Sequence, residues 1–259
     1  MTGTASAAPL AQVMPDKYFC WQPPCGSAVT LPYRLYIPER AKSGEALPLL
    51  LYLHGAGERG DDNLAQITAH SQLLAHVRAM GNCILLAPQC PLEAQWVSVP
   101  WSLGSYDCES YAPSVYLQAV HALVLSLAAS IADPARLYAA GISMGGYGVW
   151  RLLMDNPTLF AAAIPICGGA DPGRASTLTR LPIWTFHGSG DPTVPVSGTR
   201  EMAQAIRACG GTQLRYTEYP GVGHESWLLA FEEPELLSWL FSHKNKGISA
   251  LREEYYETI

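Results

Sequence analysis

The 259-residue sequence predicts an α/β domain with a mostly parallel, twisted sheet and helices on both faces. Three observations carry that expectation. Short, continuous apolar runs bounded by Gly or Pro recur along the chain, as strands buried on both faces require. Segments with apolar residues at helical spacing lie between them. The composition supplies a large core: hydrophobic residues make up 49% and charged residues 15%, where an average chain is about 25% charged.

The elements follow in order. Residues 31–37 (LPYRLYI) alternate and read as a strand, and 48–53 (PLLLYL) form an apolar strand that ends in His54-Gly55. Another runs over 83–87 (CILLA) into Pro88. Residues 88–112 then show neither period, and so long an irregular connection after a strand reads as a functional loop at the carboxyl edge of the sheet. In 113–131, Val120, Leu123, Val124, Leu127 and Ile131 share one helix face, and Asp133-Pro134 stops it. Strands are expected at 136–141, 161–167, 182–187 and 213–219, and helices at 144–155, 196–208 and 226–242. No repeat or linker divides the chain. It reads as one domain with a core over about 31–243, an N-terminal extension (1–30) and a tail (244–259). The two extensions are candidates for covering a sheet edge or for self-association into a homo-oligomer.

Charge and cysteine usage narrow the function. Sixteen Lys and Arg against 22 Asp and Glu give a net charge of −6, with no basic patch for nucleic acid or anionic lipid. No apolar run reaches the roughly 18 residues that span a bilayer. The N-terminus lacks the basic and apolar regions of a secretory signal, so a cytoplasmic location is expected. Seven cysteines form no CxxC pair and no Cys/His zinc spacing, which reads as free thiols; Cys20 with Cys25 and Cys90 with Cys108 remain candidate disulfides.

The strongest chemical signal is Gly141-Ile142-Ser143-Met144-Gly145, a G-x-S-x-G elbow between an expected strand and an expected helix. Its glycines let the chain turn sharply enough to expose the Ser143 hydroxyl above a helix N-terminus. A serine hydroxyl needs a base. His224, in the glycine-rich loop Gly221-Val222-Gly223-His224, is the candidate; His187 reads as a packed strand-end residue. The base needs an acid to fix its tautomer. Asp191, just past the strand 182–187, is favoured over Asp171, which follows the preceding strand.

An acyl-transfer site also needs an oxyanion hole. The Met144 amide is one expected donor. The loop His54-Gly55-Ala56-Gly57-Glu58-Arg59-Gly60 supplies the other, at Ala56 or next Gly57. Gly57, Glu58, Gln89, Trp96 and Trp101 are candidate substrate contacts, the tryptophans lying in the irregular loop with Tyr106 and Tyr111. Trp227 reads as a support for the histidine loop.

Together with Ala87-Pro88-Gln89-Cys90-Pro91, His187-Gly188-Ser189-Gly190-Asp191 and Gly223-His224-Glu225-Ser226-Trp227, these blocks resemble α/β-hydrolase serine esterases. More narrowly, they resemble the compact group labelled predicted peptidase or phospholipase/carboxylesterase, with feruloyl esterases and polyester depolymerases as neighbours. The resemblance covers about residues 31–243. It implies an α/β-hydrolase fold without a large cap domain, a triad of Ser143, Asp191 and His224, and amide donors at Met144 and Ala56. The expected reaction is hydrolysis of small-molecule short-chain or aryl esters through an acyl-enzyme, with no cofactor and no metal. A serine peptidase or thioesterase on the same triad stays open, as does, more remotely, a non-catalytic binding protein.

Overall fold

The computed structural model describes residues 9–245. Among the described residues, eight strands form one sheet in the order β1-β2-β4-β3-β5-β6-β7-β8. They are β1 (Asp16–Trp21), β2 (Val29–Tyr36), β3 (Leu47–Leu53), β4 (Ile84–Pro88), β5 (Ala132–Ile142), β6 (Ala162–Ile166), β7 (Ile183–Gly188) and β8 (Leu214–Tyr219). β1 and β2 pair antiparallel, β2 pairs antiparallel with β4, and every later pairing is parallel.

The helices are α1 (Leu10–Val13), α2 (Glu39–Lys42), α3 (Ala65–Thr68), α4 (Gln72–Met80), α5 (Val115–Ser130), α6 (Met144–Asp155), α7 (Val196–Ala208), α8 (Trp227–Ala230) and α9 (Leu236–Ser242). They cover both faces. β3 shows why: all seven of its residues are buried, with Leu49, Leu51 and Leu53 in one core and Leu50 and Tyr52 in the other. The first core is closed by α5, α6 and α7, the second by α1, α4, α8 and α9. Each fully buried leucine of this strand contributes on the order of 2 kcal/mol through its apolar area.

α5 starts where the Ser114 hydroxyl accepts the Leu117 amide, 3.2 Å away, and α6 ends at Asn156 before Pro157. The expected helix over 226–242 is two pieces, α8 and α9. Pro234 separates them, because its ring removes a donor and blocks the preceding turn. β1, inside the N-terminal extension, forms the outer edge of the sheet, and α3 and α4 fill the segment between β3 and β4; the apolar pattern had marked neither. The irregular stretch 88–112 contains one 3-10 turn (Trp101–Leu103), and its Val97 makes an isolated bridge to Pro113 just beyond it. No large cap domain interrupts the strands after Ser143. All seven cysteines are free, including both candidate pairs. The acidic, tyrosine-bearing end of the tail lies outside the described residues. Among those described, no helix is long and apolar enough to cross a membrane.

Candidate active site

The site lies at the carboxyl ends of β3, β5, β6 and β7, the edge where open α/β sheets place ligands. Ser143 joins β5 to α6 with φ +53° and ψ −118°, a backbone conformation L-residues rarely adopt. The neighbours explain the strain. A Cβ on Gly145 would collide with the Leu53 carbonyl oxygen, and one on Gly146 with that of Ile166. The helix therefore starts in direct backbone contact with β3 and β6. The Ser143 amide donates to Ile166 O at 2.9 Å, which ties the elbow to β6.

From that elbow, Ser143 Oγ stands 2.8 Å from His224 Nε2. His224 Nδ1 lies 2.7 Å from Asp191 Oδ2. The carboxylate of Asp191 is fully buried. Burial alone would raise its pKa, but hydrogen bonds from His187, His224 and the amides of Val194 and Thr193 hold it well below the usual carboxylate range. Asp191 is thus an anion facing Nδ1, and Nδ1 carries the proton. Nε2 is left as an acceptor for the serine hydroxyl. His187 is fully buried. Its Nε2 faces two acceptors, Val194 O at 3.0 Å and Asp191 Oδ2 at 3.2 Å, and Nδ1 lies 2.7 Å from the Thr199 hydroxyl. The sequence had shown His187 only as packing. Its place four residues before Asp191 in a turn was the available signal.

Asp171, the rival acid, is occupied elsewhere: its carboxylate accepts the amides of Cys108 and Gly173 at 2.9 and 2.8 Å and shapes a turn.

The amide of Met144 opens α6, where the first N–H groups have no partner within the helix. The Ala56 amide opens a 3-10 turn (Ala56–Glu58) that follows β3 directly. Because Gly145 abuts the carbonyls of Leu53 and His54, these two helical starts converge beside Ser143. The loop is held from below. His54 Nε2 accepts the Cys90 amide at 2.9 Å, and its Nδ1 lies 2.6 Å from Gly55 O, where it donates. Burial lowers the His54 pKa to about 4. Trp96 Nε1 donates to His54 O at 3.2 Å, and Gln89 Nε2 donates to Glu58 O at 3.1 Å.

These bonds decide where the candidate substrate contacts sit. Gln89 and Trp96 are fully buried and brace the loop after β3 from beneath. Glu58 is also buried, with its carboxyl turned toward His70. Gly57 is exposed and Trp101 half-buried, so these two remain at the surface of the site. Arg59 lies 5.8 Å from the centre of the Trp101 ring and donates to Ala56 O at 3.0 Å.

Among the described residues, Cys167, Asp191 and His224 bring their potential ligand atoms within 4.8 Å of one another. Both nitrogens of His224 are already engaged, Nε2 with Ser143 and Nδ1 with Asp191 at 2.7 Å. Two ligands of one zinc ion stand about 3.3 Å apart or more, so this spacing fits a shared proton rather than a shared metal.

A probable feruloyl esterase C from Aspergillus terreus is 26% identical over 192 residues, which span 74% of this chain and 66% of that protein. Among solved structures, a thermostable esterase is 34% identical and superposes with a TM-score of 0.77 over 91% of this chain and 64% of its own. The chain thus spans about two thirds of the length of each. The acylaminoacyl peptidase of Pyrococcus horikoshii, 15% identical with a TM-score of 0.62 over 90% of this chain and 42% of its own, shares the fold. The model of the phospholipase/carboxylesterase family matches residues 40–233, which takes in the loop after β3, the elbow, Asp191 and His224. With the elbow, the hydrogen-bonded serine, histidine and aspartate, and this match in agreement, the chain belongs to the phospholipase/carboxylesterase family.

Proposed function

We propose that the protein is a serine carboxylesterase that hydrolyses short-chain or aryl carboxylic esters. The carrying observation is the unbroken line from Ser143 Oγ through His224 to Asp191, with bonds of 2.8 and 2.7 Å. His224 Nε2 takes the serine proton as Oγ attacks the ester carbonyl carbon. The carbonyl π electrons move to oxygen, which the amides of Met144 and Ala56 receive. The tetrahedral intermediate collapses, its bond to the alcohol oxygen breaks, and His224 returns the proton to the departing alcohol. Water then gives a proton to His224 and attacks the acyl-enzyme; the acid leaves, and Ser143 recovers its hydrogen. Asp191 holds the imidazolium that forms in each half.

The exposed Gly57 and half-buried Trp101 support a shallow, partly aromatic entrance rather than a long acyl tunnel. Tyr147, one turn of helix beyond Ser143, bonds through its hydroxyl to Trp101 O at 3.1 Å and holds that wall to α6. Seven free thiols support a reducing, cytoplasmic setting.

The test is a panel of p-nitrophenyl acetate, butyrate, octanoate and palmitate, methyl ferulate and an aminoacyl p-nitroanilide. Turnover of the short or aryl esters with silence on the anilide is expected. Preferential cleavage of the anilide would replace this reading with a peptidase, and preference for palmitate would overturn the shallow site.

A further inference from the structure

An acyl-transfer site works only if its oxyanion amides and its base keep a fixed separation, within about half an ångström. Here they ride on different loops: Ala56 follows β3, and His224 follows β8. A third segment lies between them. His70, in the turn between α3 and α4, has a left-handed backbone with φ +48°, and its carbonyl accepts the Tyr52 hydroxyl at 2.7 Å. Its ring is therefore presented from a pinned, strained position.

Both nitrogens of that ring are directed. Trp227 Nε1 donates to His70 Nδ1 at 3.2 Å, which puts the imidazole proton on Nε2. Nε2 faces Glu58 Oε1 at 3.7 Å. On one side, then, His70 holds Trp227, whose indole stands edge-on to His224 with ring centres 5.3 Å apart and planes at 89°. On the other it faces the carboxyl of Glu58, the last residue of the 3-10 turn that Ala56 opens.

Glu58 is 5% exposed, and its Oε2 is buried without a hydrogen-bond partner. That oxygen lies over Gly55: a Cβ there would meet it at 3.2 Å. Two imidazoles face the carboxyl: His70 and, 4.0 Å from Oε2, His54 Nδ1. Burial pushes the Glu58 carboxyl up, and His70 works against that. A half-satisfied buried carboxyl costs stability. Its place in the loop of Ala56, facing His70, gives it a use.

We propose that His70 is a positioning residue: bonded to Trp227 and facing Glu58, it sets the separation between the oxyanion loop and the loop of His224. The role rests on the esterase reading, since it matters only where Ala56 and His224 serve one intermediate. It acts on the transition state more than on substrate binding, so its loss shows in kcat and not in KM.

The experiment uses the full chain, p-nitrophenyl butyrate as substrate, and a fluorophosphonate to count active sites. His70→Phe keeps a ring against Trp227 and removes both nitrogens. Trp227→Phe keeps a ring against His224 and removes the donor. Each is expected to lower kcat per titrated site by about ten-fold, with KM within about two-fold, since small misplacements cost up to about a hundred-fold. The double variant is expected to fall no further than His70→Phe alone, because that change already cuts the bond to Trp227. His70→Asn keeps an acceptor near the Nδ1 position and tolerates the left-handed backbone but has no group at the Nε2 position, so it should recover the part of the loss that comes from the bond to Trp227.

Unchanged kcat per titrated site, with only a smaller labelled fraction or a lower Tm, would overturn the proposal in favour of a purely structural histidine. Losses that multiply in the double variant would also overturn it. If His70→Phe does not fold, Trp227→Phe and His70→Asn carry the comparison. Should the wild type cleave no ester yet react with the fluorophosphonate, the esterase reading fails alone, and the labelling rate constant tests the brace in place of kcat.

Discussion

His187 Nε2 lies 3.2 Å from the same Asp191 oxygen, Oδ2, that receives the Nδ1–H of His224. The other oxygen, Oδ1, accepts the amides of Thr193 and Val194 at 2.8 and 3.0 Å. Every group facing this carboxylate is a donor. Its negative charge is thus fixed from four sides, and the imidazole of His224 is oriented by a residue that cannot itself rotate.

Asp191→Asn tests that crowding. An amide offers one acceptor oxygen and an NH2 that only donates, so wherever its NH2 turns it meets another N–H. Either the His224 tautomer reverses or the turn loses its bonds. The expected kcat falls by about 1,000- to 10,000-fold, and urea unfolding should show a loss of about 1–3 kcal/mol. Activity within ten-fold of wild type would show that the carboxylate is not the orienting group.

Glycines around the site differ in what a side chain would meet. Gly145→Ala places a methyl against the Leu53 carbonyl in the centre of the sheet, where nothing can yield. The variant should fail to fold or lose more than about 4 kcal/mol. Gly57→Ala meets nothing within 4 Å and should keep its Tm within about 2 °C. A thermal melt of each checks the pair; a stable Gly145→Ala would mean that α6 does not start against β3.

Acid should weaken the fold through His54 before it reaches the carboxylates. Its folded pKa is about 4 against an ordinary 6.5. Between those values the unfolded chain binds a proton that the folded chain refuses, so stability falls as pH drops through that window, by about 3 kcal/mol at most. Asp191 has a depressed pKa, and its stabilisation is lost only lower, below the ordinary carboxylate value of 3.8. Urea titrations from pH 7 to 4.5 should show the slope in wild type and a flatter one in His54→Gln. The difference between the two isolates His54 from His121, whose pKa is also lowered by burial, and from Glu58. Equal slopes would mean that His54 is not the group that titrates.

Much of this was legible in the residues, for physical reasons that differ by element. The apolar runs at 48–53 and 83–87 announce strands buried on both sides, and β3 and β4 lie there. Helices α6 and α7 fall on the expected 144–155 and 196–208, because Gly-rich turns, Asn156-Pro157 and helical spacing bound them. β1 was silent because an edge strand exposed on alternate residues needs no apolar run. α3 and α4 were silent because they are short: four and nine residues give too few turns for a periodic pattern, although Leu73, Leu74 and Val77 of α4 are core residues. In the site, Ser143, Asp191 and His224 could be read from chain order and turn chemistry. Trp96 and Gln89 could not be placed: aromatic and amide side chains look alike in sequence whether they face a ligand or, as here, hold a loop from beneath. His70 gave no signal, since its meaning lies in contacts with residues 12 before it and 157 after it.

The most direct test of the central claim is hydrolysis of p-nitrophenyl butyrate by wild type and Ser143→Ala, with the fluorophosphonate adduct mapped by mass spectrometry. The account predicts a single adduct on Ser143 in wild type, none in the variant, and turnover in the variant below about one thousandth of wild type. Turnover that survives the substitution, or an adduct on another residue, would contradict it.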